Sequence, residues 1–413
     1  MKPDHAFQWL KAAQGRGIVP GLERMERLLA ALGNPQRSLR CLHVAGTNGK
    51  GSVCAFAESV LRASGHRTGL YTSPHLVRFA ERIRINGEEV TDFLIEGGIA
   101  RLREATSGWL EERMPTYFEL VTALAFDLFA REHCDVVVLE TGLGGRLDAT
   151  NVAPKLACAI TPVGLDHTEW LGTTLGAIAV EKAGIFRPGI PVVTAPQEPE
   201  ALAALESVAG VLGSPLRVVE EPLSEQLRIG LSGSHQRRNA SLALALVRSG
   251  GFDPSPDAVA AGLSGVSWPG RFQRIECRGR EMILDGAHNV HAARQLAATW
   301  REHYGERRCT LVFGALADKD PAAILAELSP LCDQLVLVPV DSPRSADPRE
   351  WSRFTGCSHP VPTVEGSLGE ALKHIFDREA AGEGPVLLTG SLFLVGEALS
   401  LLDPGERDPR TAS

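Results

Sequence analysis

The chain has 413 residues, 44% of them hydrophobic, enough for two separate cores and too many for one ordinary domain. Its formal net charge of -8 argues against a surface built to bind nucleic acid, which needs a basic face. No apolar run approaches the roughly 20 residues needed to span a bilayer, and Met1–His5 lacks a signal-peptide core, so a cytoplasmic protein without membrane attachment is expected.

In chain order, Gly15 to Leu32 carries a helix opening near Gly21-Leu22-Glu23-Arg24. Cys41 to Val44 reads as a short buried strand, and Ser52 to Ser64 as a helix with Val53, Phe56, Ala57, Val60 and Leu61 on one face and Gly65 as its stop. Between them lies Val44-Ala45-Gly46-Thr47-Asn48-Gly49-Lys50-Gly51-Ser52. A glycine-rich turn from strand to helix lets backbone N–H groups approach phosphates, with Lys50 in reach of the terminal ones. The pattern departs from the strict phosphate loop at Val44 and Gly51, with the hydroxyl one residue late at Ser52.

Strand-like runs follow at Arg67–Tyr71, Asp135–Thr141, Leu156–Thr161 and Pro191–Thr194, with helices at Thr116–Ala130 and Leu175–Ala183. This alternation predicts an α/β fold, with a mostly parallel sheet covered by helices. Trp268-Pro269-Gly270-Arg271 breaks the rhythm, which restarts with strands at Met282–Asp285, Thr310–Gly314, Gln334–Val338 and Pro385–Thr389. The expected organisation is a phosphate-loop domain over residues 1–268 and a smaller Rossmann-like α/β domain over 269–413, ending in a polar, frayed tail from Asp403. Eight cysteines, at 41, 54, 134, 158, 277, 309, 332 and 357, show no C-x-x-C spacing and read mostly as buried free thiols.

Ligands of open parallel sheets bind beyond the carboxyl ends of the strands. Three exits carry chemistry: the glycine loop, the apolar run ending in Glu140, and the strand leading to Asp166-His167. A carboxylate delivered beside a phosphate loop suits a divalent cation, although a solvated strand-end acid explains Glu140 alone. Ser73-Pro74 is a turn that could place a hydroxyl at the same edge, and Lys182 near a helix end could be a plain surface charge.

Together the motifs GTNGKGS (46–52), SPHL (73–76), TYFE (116–119), ETGLGGRLDATN (140–151), GLDH (164–167), EKAGI (181–185), HQRRNA (235–240), PGR (269–271), DGAHN (285–289) and TGSLFLVGE (389–397) resemble the folylpolyglutamate synthase and dihydrofolate synthase family, a branch of the Mur ligases. The resemblance implies an ATP-dependent ligase that joins a pteroate or folate carboxylate to L-glutamate through an acyl phosphate; an enzyme performing both synthase steps, as a monomer, is the leading expectation. It assigns Asn48, Gly49, Lys50, Gly51 and Ser52, with Asn239, Arg271 and Asp285, to ATP, and Ser73, Glu140 and His167 to magnesium, for which manganese could substitute. Lys182 aligns with a carbamylated lysine able to hold a second metal, and Lys50, Lys182 and His288 are the catalytic candidates. Thr116, Tyr117, Phe118, Glu119, Leu147, Asp148 and Ala149 fall on positions lining the pterin pocket, Phe118 to stack and Asp148 to accept ring N–H groups.

Asn289 also reads as a helix cap, and Asp318-Lys319-Asp320 as either a cleft loop or a solvated turn. Pro162 and Ala80 depart from the family pattern, Pro162 by removing a backbone donor and Ala80 by its small size. Open rivals are an enzyme restricted to one of the two steps, a Mur-type amino-acid ligase on another acceptor, a phosphate-loop ATPase or kinase that does not ligate, and a non-catalytic nucleotide-binding regulator.

Overall fold

A computed structural model describes residues 3–351, 361–377 and 384–402. Cys357 and the tail from Asp403 lie outside the described residues. The chain divides into two compact units. The first takes in Met1–His75, Phe79–Gly230 and Gln236–Val266; the second begins in earnest at Ser267 and also claims the short segments Leu76–Arg78 and Leu231–His235.

The first unit is built on an eight-stranded sheet. Its strands are β1 (Cys41–Ala45), β2 (Thr68–Tyr71), β3 (Ile83–Ile85), β4 (Glu88–Glu89), β5 (Val136–Glu140), β6 (Lys155–Ile160), β7 (Val192–Thr194) and β8 (Leu216–Val218), in the order β4-β3-β2-β5-β1-β6-β7-β8. β1 sits between β5 and β6 and runs parallel to both. Every residue of β1 and β5 is buried, which is why these strands read as unbroken apolar runs rather than alternating ones. The antiparallel edge β3–β4 carries Arg84, Glu88 and Glu89 and has no such run to announce it. One core joins Val137 and Leu139 of β5 to Leu124 and Phe126; another joins Cys158 and Ile160 of β6 to Ile178 and Leu205. Each large side chain so buried contributes about 2 kcal/mol.

The second unit holds β9 (Gln273–Cys277), β10 (Arg280–Leu284), β11 (Cys309–Phe313), β12 (Cys332–Leu337), β13 (Thr363–Val364) and β14 (Val386–Thr389), ordered β13-β12-β11-β14-β10-β9. All pairings are parallel except that of β9 with β10. β9, with polar side chains at every second position, was not legible as a strand in the sequence. Of the seven described cysteines, all are free thiols and five are buried, as expected.

Candidate active site

The helix after β1 starts at Lys50, two residues earlier than the apolar periodicity indicates, because Gly49 caps it in the left-handed region at φ 89°. A Cβ at Gly49 would lie 2.8 Å from Asn239 Oδ1, and one at Gly46 (φ 143°) would lie 1.8 Å from Thr161 Oγ1, so neither position has room for a side chain. The loop is latched from behind. Thr47 and Asn48 donate their N–H groups to Pro162 O at 3.1 and 3.4 Å, and Thr47 Oγ1 bridges the amide and carbonyl of Gly164. Pro162 therefore serves as an acceptor here. The first intrahelical bond runs from Val53 N to Gly49 O, so the amides of Lys50, Gly51 and Ser52 are the helix-start donors. Lys50 Nζ rests on Thr47 O at 3.2 Å. Ser52 Oγ and Thr161 Oγ1 are buried without a hydrogen-bond partner, two orphaned donors at a loop suited to an anion.

The parallel pairing of β2 with β5 sets Tyr71 against Leu139, so both chains leave the sheet side by side. Beyond those ends Ser73 N donates to Glu140 Oε2 at 3.1 Å, and Glu140 is buried. A serine hydroxyl and a carboxylate at adjacent strand ends are hard oxygen donors and fit a magnesium ion. His167 stands at φ 50° ahead of the short helix Thr168–Leu171, with Nε2 3.9 Å from Asp166 Oδ1. Among the described residues no three His, Cys, Asp or Glu side chains converge.

Lys182 is 4% exposed and donates from Nζ to Gly46 O at 2.7 Å. Burial and then the charge of Lys50 bring its pKa down to about 7, with Asp166 and Asp148 opposing weakly. The helix that carries it, Leu175–Ala183, is interlocked with the loop after β5. A Cβ at Gly145 would meet Lys182 O at 2.7 Å, and one at Gly184 would meet Arg146 Cα at 2.4 Å. Arg146 N donates to Glu181 O at 2.9 Å, its guanidinium pairs with the Glu181 carboxylate at 2.8 Å, and Asn151 Nδ2 spans Arg146 O and Gly184 O. Backbone meets backbone there, which only glycine permits.

The residues expected at the pterin divide into two sets. Phe118 and Tyr117 are half-buried and Leu147 is exposed, leaving surface for a ligand. The Phe118 ring lies against Gly142, where a Cβ would be 2.4 Å from its Cζ, and the Arg82 guanidinium sits 5.7 Å from the Tyr117 ring centre. Thr116, Glu119, Asp148 and Ala149 are buried. Thr116 and Glu119 form a capping box on the helix Tyr117–Arg131, and Glu119 also pairs with Arg24 at 3.0 Å. Arg24 in turn donates to Val19 O, tying the N-terminal segment to the TYFE motif. Asp148 is not the open acceptor expected from the sequence. It accepts from Gly142 N, Leu143 N and Thr150 N at 2.8, 2.9 and 3.0 Å, and from Thr150 Oγ1, and burial raises its pKa against the pull of those bonds.

Sequence reasoning named neither the partner of Arg24 nor the pair in which Arg82 Nε donates to His75 Nδ1 at 2.7 Å. Burial and then Arg82 push the His75 pKa down to about 3, so the ring is a neutral acceptor. Its place in SPHL, beside Ser73, was the available signal. Ala80 is half-buried against the same core as Phe118.

In the second unit, Asp285 accepts from Phe272 N at 2.8 Å and Ala287 N at 2.9 Å; burial raises its pKa, and Arg271 is the largest opposing influence. Gly286 N donates to Gly270 O at 2.9 Å, and a Cβ at Gly286 would strike Arg271 Nη1 at 2.7 Å, so the PGR and DGAHN motifs form one knot. His288 Nδ1 lies 2.8 Å from Gly286 O, which requires the proton on Nδ1. Asn289 caps the helix Val290–Tyr304 through Ala292 N, as its structural reading has it, and Asp320 caps Pro321–Leu328 through Ala323 N. Lys319 pairs with Asp318 at 3.2 Å.

A phosphate loop on a central strand of one mostly parallel sheet, an acid at the next strand end and a second Rossmann-like sheet are the frame of an ATP-dependent carbon–nitrogen ligase of the Mur type. A family model described as Mur ligase, glutamate ligase domain, matches residues 270–392. Dihydrofolate synthase/folylpolyglutamate synthase of Bacillus subtilis is 34% identical over 95% of this chain and 97% of its own. The Mycobacterium tuberculosis folylpolyglutamate synthase complexed with ADP and AMPPCP superposes with a TM-score of 0.90 at 30% identity, covering 99% and 100% of the two chains. Escherichia coli FolC in complex with DHPP and ADP gives 0.85 at 33% identity, covering 97% of each. The chain belongs to the dihydrofolate synthase/folylpolyglutamate synthase family.

Proposed function

We propose that this chain uses ATP to join the free carboxylate of dihydropteroate, and then of a reduced folate, to the amino group of L-glutamate. The observation that carries the reading is the buried Lys182 amine on the carbonyl of Gly46, which ties the phosphate loop to the helix Leu175–Ala183. A carboxylate is a poor electrophile, so the γ-phosphoryl group passes to it first; glutamate nitrogen then attacks the acyl carbon, and inorganic phosphate leaves with the former acyl C–O bond pair.

Lys50 and the amides of Lys50, Gly51 and Ser52 hold the phosphates, with Asn48 and Asn239 beside them. Ser73, Glu140 and His167 are the residues that would hold magnesium, which when bound offsets phosphate charge; manganese suits the histidine as well. Because its amine is neutral above about pH 7, Lys182 can add to carbon dioxide, forming an N–C bond and releasing one proton. The resulting carbamate carries the negative charge that a second cation needs.

Phe118 offers a face to the flat pterin, with Tyr117, Leu147 and Ala149 around it, and Thr116, Glu119 and Asp148 hold that wall in shape. Residues 1–268 act as the ATP-binding and pterin-side domain. Residues 269–413 act as the glutamate-ligase domain, in which Arg271 and Asp285 are the ATP candidates and His288 the catalytic candidate, as the family resemblance implies. The enzyme works as a cytoplasmic monomer.

Purified protein with ATP, magnesium and glutamate, offered dihydropteroate or tetrahydrofolate, tests this through ADP release. Release with both acceptors, dependent on glutamate, is the expected result. Release with one acceptor alone overturns the double activity, and release without glutamate overturns ligation.

A further inference from the structure

His43 lies in the middle of β1, fully buried, opposite Leu139 of β5 and Cys158 of β6. None of the chemistry above uses it. Its Nε2 is 2.8 Å from Thr150 Oγ1, and Thr150 Oγ1 donates to Asp148 Oδ1. Asp148 Oδ2 receives the amides of Gly142 and Leu143. His43, Thr150, Asp148, Gly142 and Leu143 therefore form a continuous chain from the central strand to the loop that carries Leu147.

Counting protons fixes its direction. Thr150 has one hydroxyl hydrogen and spends it on a carboxylate, which when ionised can only accept. The other partner of that oxygen, His43 Nε2, must donate. The ring proton is then on Nε2 and Nδ1 is bare, in keeping with a buried Nδ1 that has no hydrogen-bond partner. Burial, then the charges of Lys155 and Arg187, keep the ring neutral.

We propose that His43 is a positioning residue for the acceptor substrate: through Thr150 it orients Asp148, and so sets the 142–150 loop that walls the pterin pocket, without touching substrate. This rests on the pterin reading given above. A neutral donor suits the task, because a charged ring would double the donors at a site with one acceptor. Thr150 is fully buried, so no water competes for its oxygen.

The test compares His43→Leu and Thr150→Val, which break the chain, with His43→Gln and Thr150→Ser, which keep a donor at the same place. Losing one such bond is worth about tenfold. The acceptor KM should rise by about that factor in the first pair while the ATP KM stays within about twofold, and the second pair should recover most of the loss. KM values for acceptor and ATP rising together would mean a merely structural role and overturn the proposal, as would no change in either.

A readout independent of turnover is the long-range 1H–15N spectrum of histidine-labelled wild-type protein. It should show one ring, absent from His43→Gln, that is neutral, protonated on Nε2 and unresponsive from pH 6 to pH 8. A proton on Nδ1 of that ring overturns the proposal; where His43→Gln does not fold, the ring is assigned instead through its scalar coupling to the backbone of the wild-type protein. Wild-type protein inert towards every pteroate or folate acceptor would defeat the pterin reading instead, leaving the spectrum to judge the hydrogen-bond chain.

Discussion

Lys182 and Gly46 are 136 positions apart and share a 2.7 Å hydrogen bond, from a buried ammonium to the carbonyl at the root of the phosphate loop. That bond joins the two motifs on which the chemistry depends. A lysine so placed cannot be a surface charge, the reading its position near a helix end otherwise allows.

Replacing Lys182 with alanine should abolish ligation, and added short carboxylic acids should restore part of it by standing in for a carbamate. The assay is glutamate-dependent ADP release with and without acetate. Full activity in the variant without additive removes the carbamate from the mechanism.

The same lysine sets a pH dependence of stability. Its folded pKa of about 7 lies below the ordinary 10.5, so the cost of burying the charge is fully present below pH 7 and is relieved as pH rises from there. In carbon dioxide-free buffer, unfolding free energy should climb between pH 7 and 8.5 by up to ~1.4 kcal/mol per unit more in wild type than in Lys182→Met. Equal slopes in urea titrations of the two proteins contradict the burial argument.

Lys50→Ala should lower kcat by a factor on the order of 10² to 10³, as removal of one preorganised charge at a transferring phosphoryl group does elsewhere. Its unfolding midpoint should barely move, because Lys50 is half-exposed and its ammonium bonds to Thr47 O. Wild-type turnover would rule out a phosphate role.

Gly46 and Gly65 both adopt positive φ, at 143° and 88°, but a Cβ at Gly46 meets Thr161 whereas one at Gly65 meets nothing within 4 Å. Gly65→Ala should cost about 1 kcal/mol, the conformational price alone, and Gly46→Ala several times more or fail to fold. Chemical denaturation of both variants decides; equal losses mean that the close approach of Thr161 is not what fixes Gly46.

Chelation should stop ADP release, and magnesium should restore it. In Glu140→Gln the hydrogen bond from Ser73 N can persist while the negative charge is gone, so the magnesium needed for half-maximal rate should rise about tenfold or more. An unaltered magnesium dependence excludes Glu140 as a ligand.

Much of the scaffold was legible because parallel strands are buried on both faces. β1, β5, β6 and β11 appear in the sequence as apolar runs, and the helix Leu175–Ala183 has the bounds its periodicity gives. β3, β4 and β9 were not legible, since short strands at or next to a sheet edge that mix charged with few apolar residues carry no period. The motif residues were visible, but their duties were not. Asp148 read as an acceptor for ring N–H groups, and its oxygens accept instead from Gly142, Leu143 and Thr150; Pro162 looked like a lost donor and is the acceptor that latches Thr47 and Asn48.

The sequence by itself determined what local pattern can encode: the parallel α/β architecture, the phosphate loop, and the identity of the groups that leave each strand. Only the tertiary structure decided which of those groups stand open and which are consumed, because hydrogen bonds from Lys182 to Gly46, from Arg24 to Glu119 and from His43 through Thr150 to Asp148 cross between segments far apart in the chain. A carboxylate's availability depends on the donors that reach it, and those arrive through folding rather than through spacing.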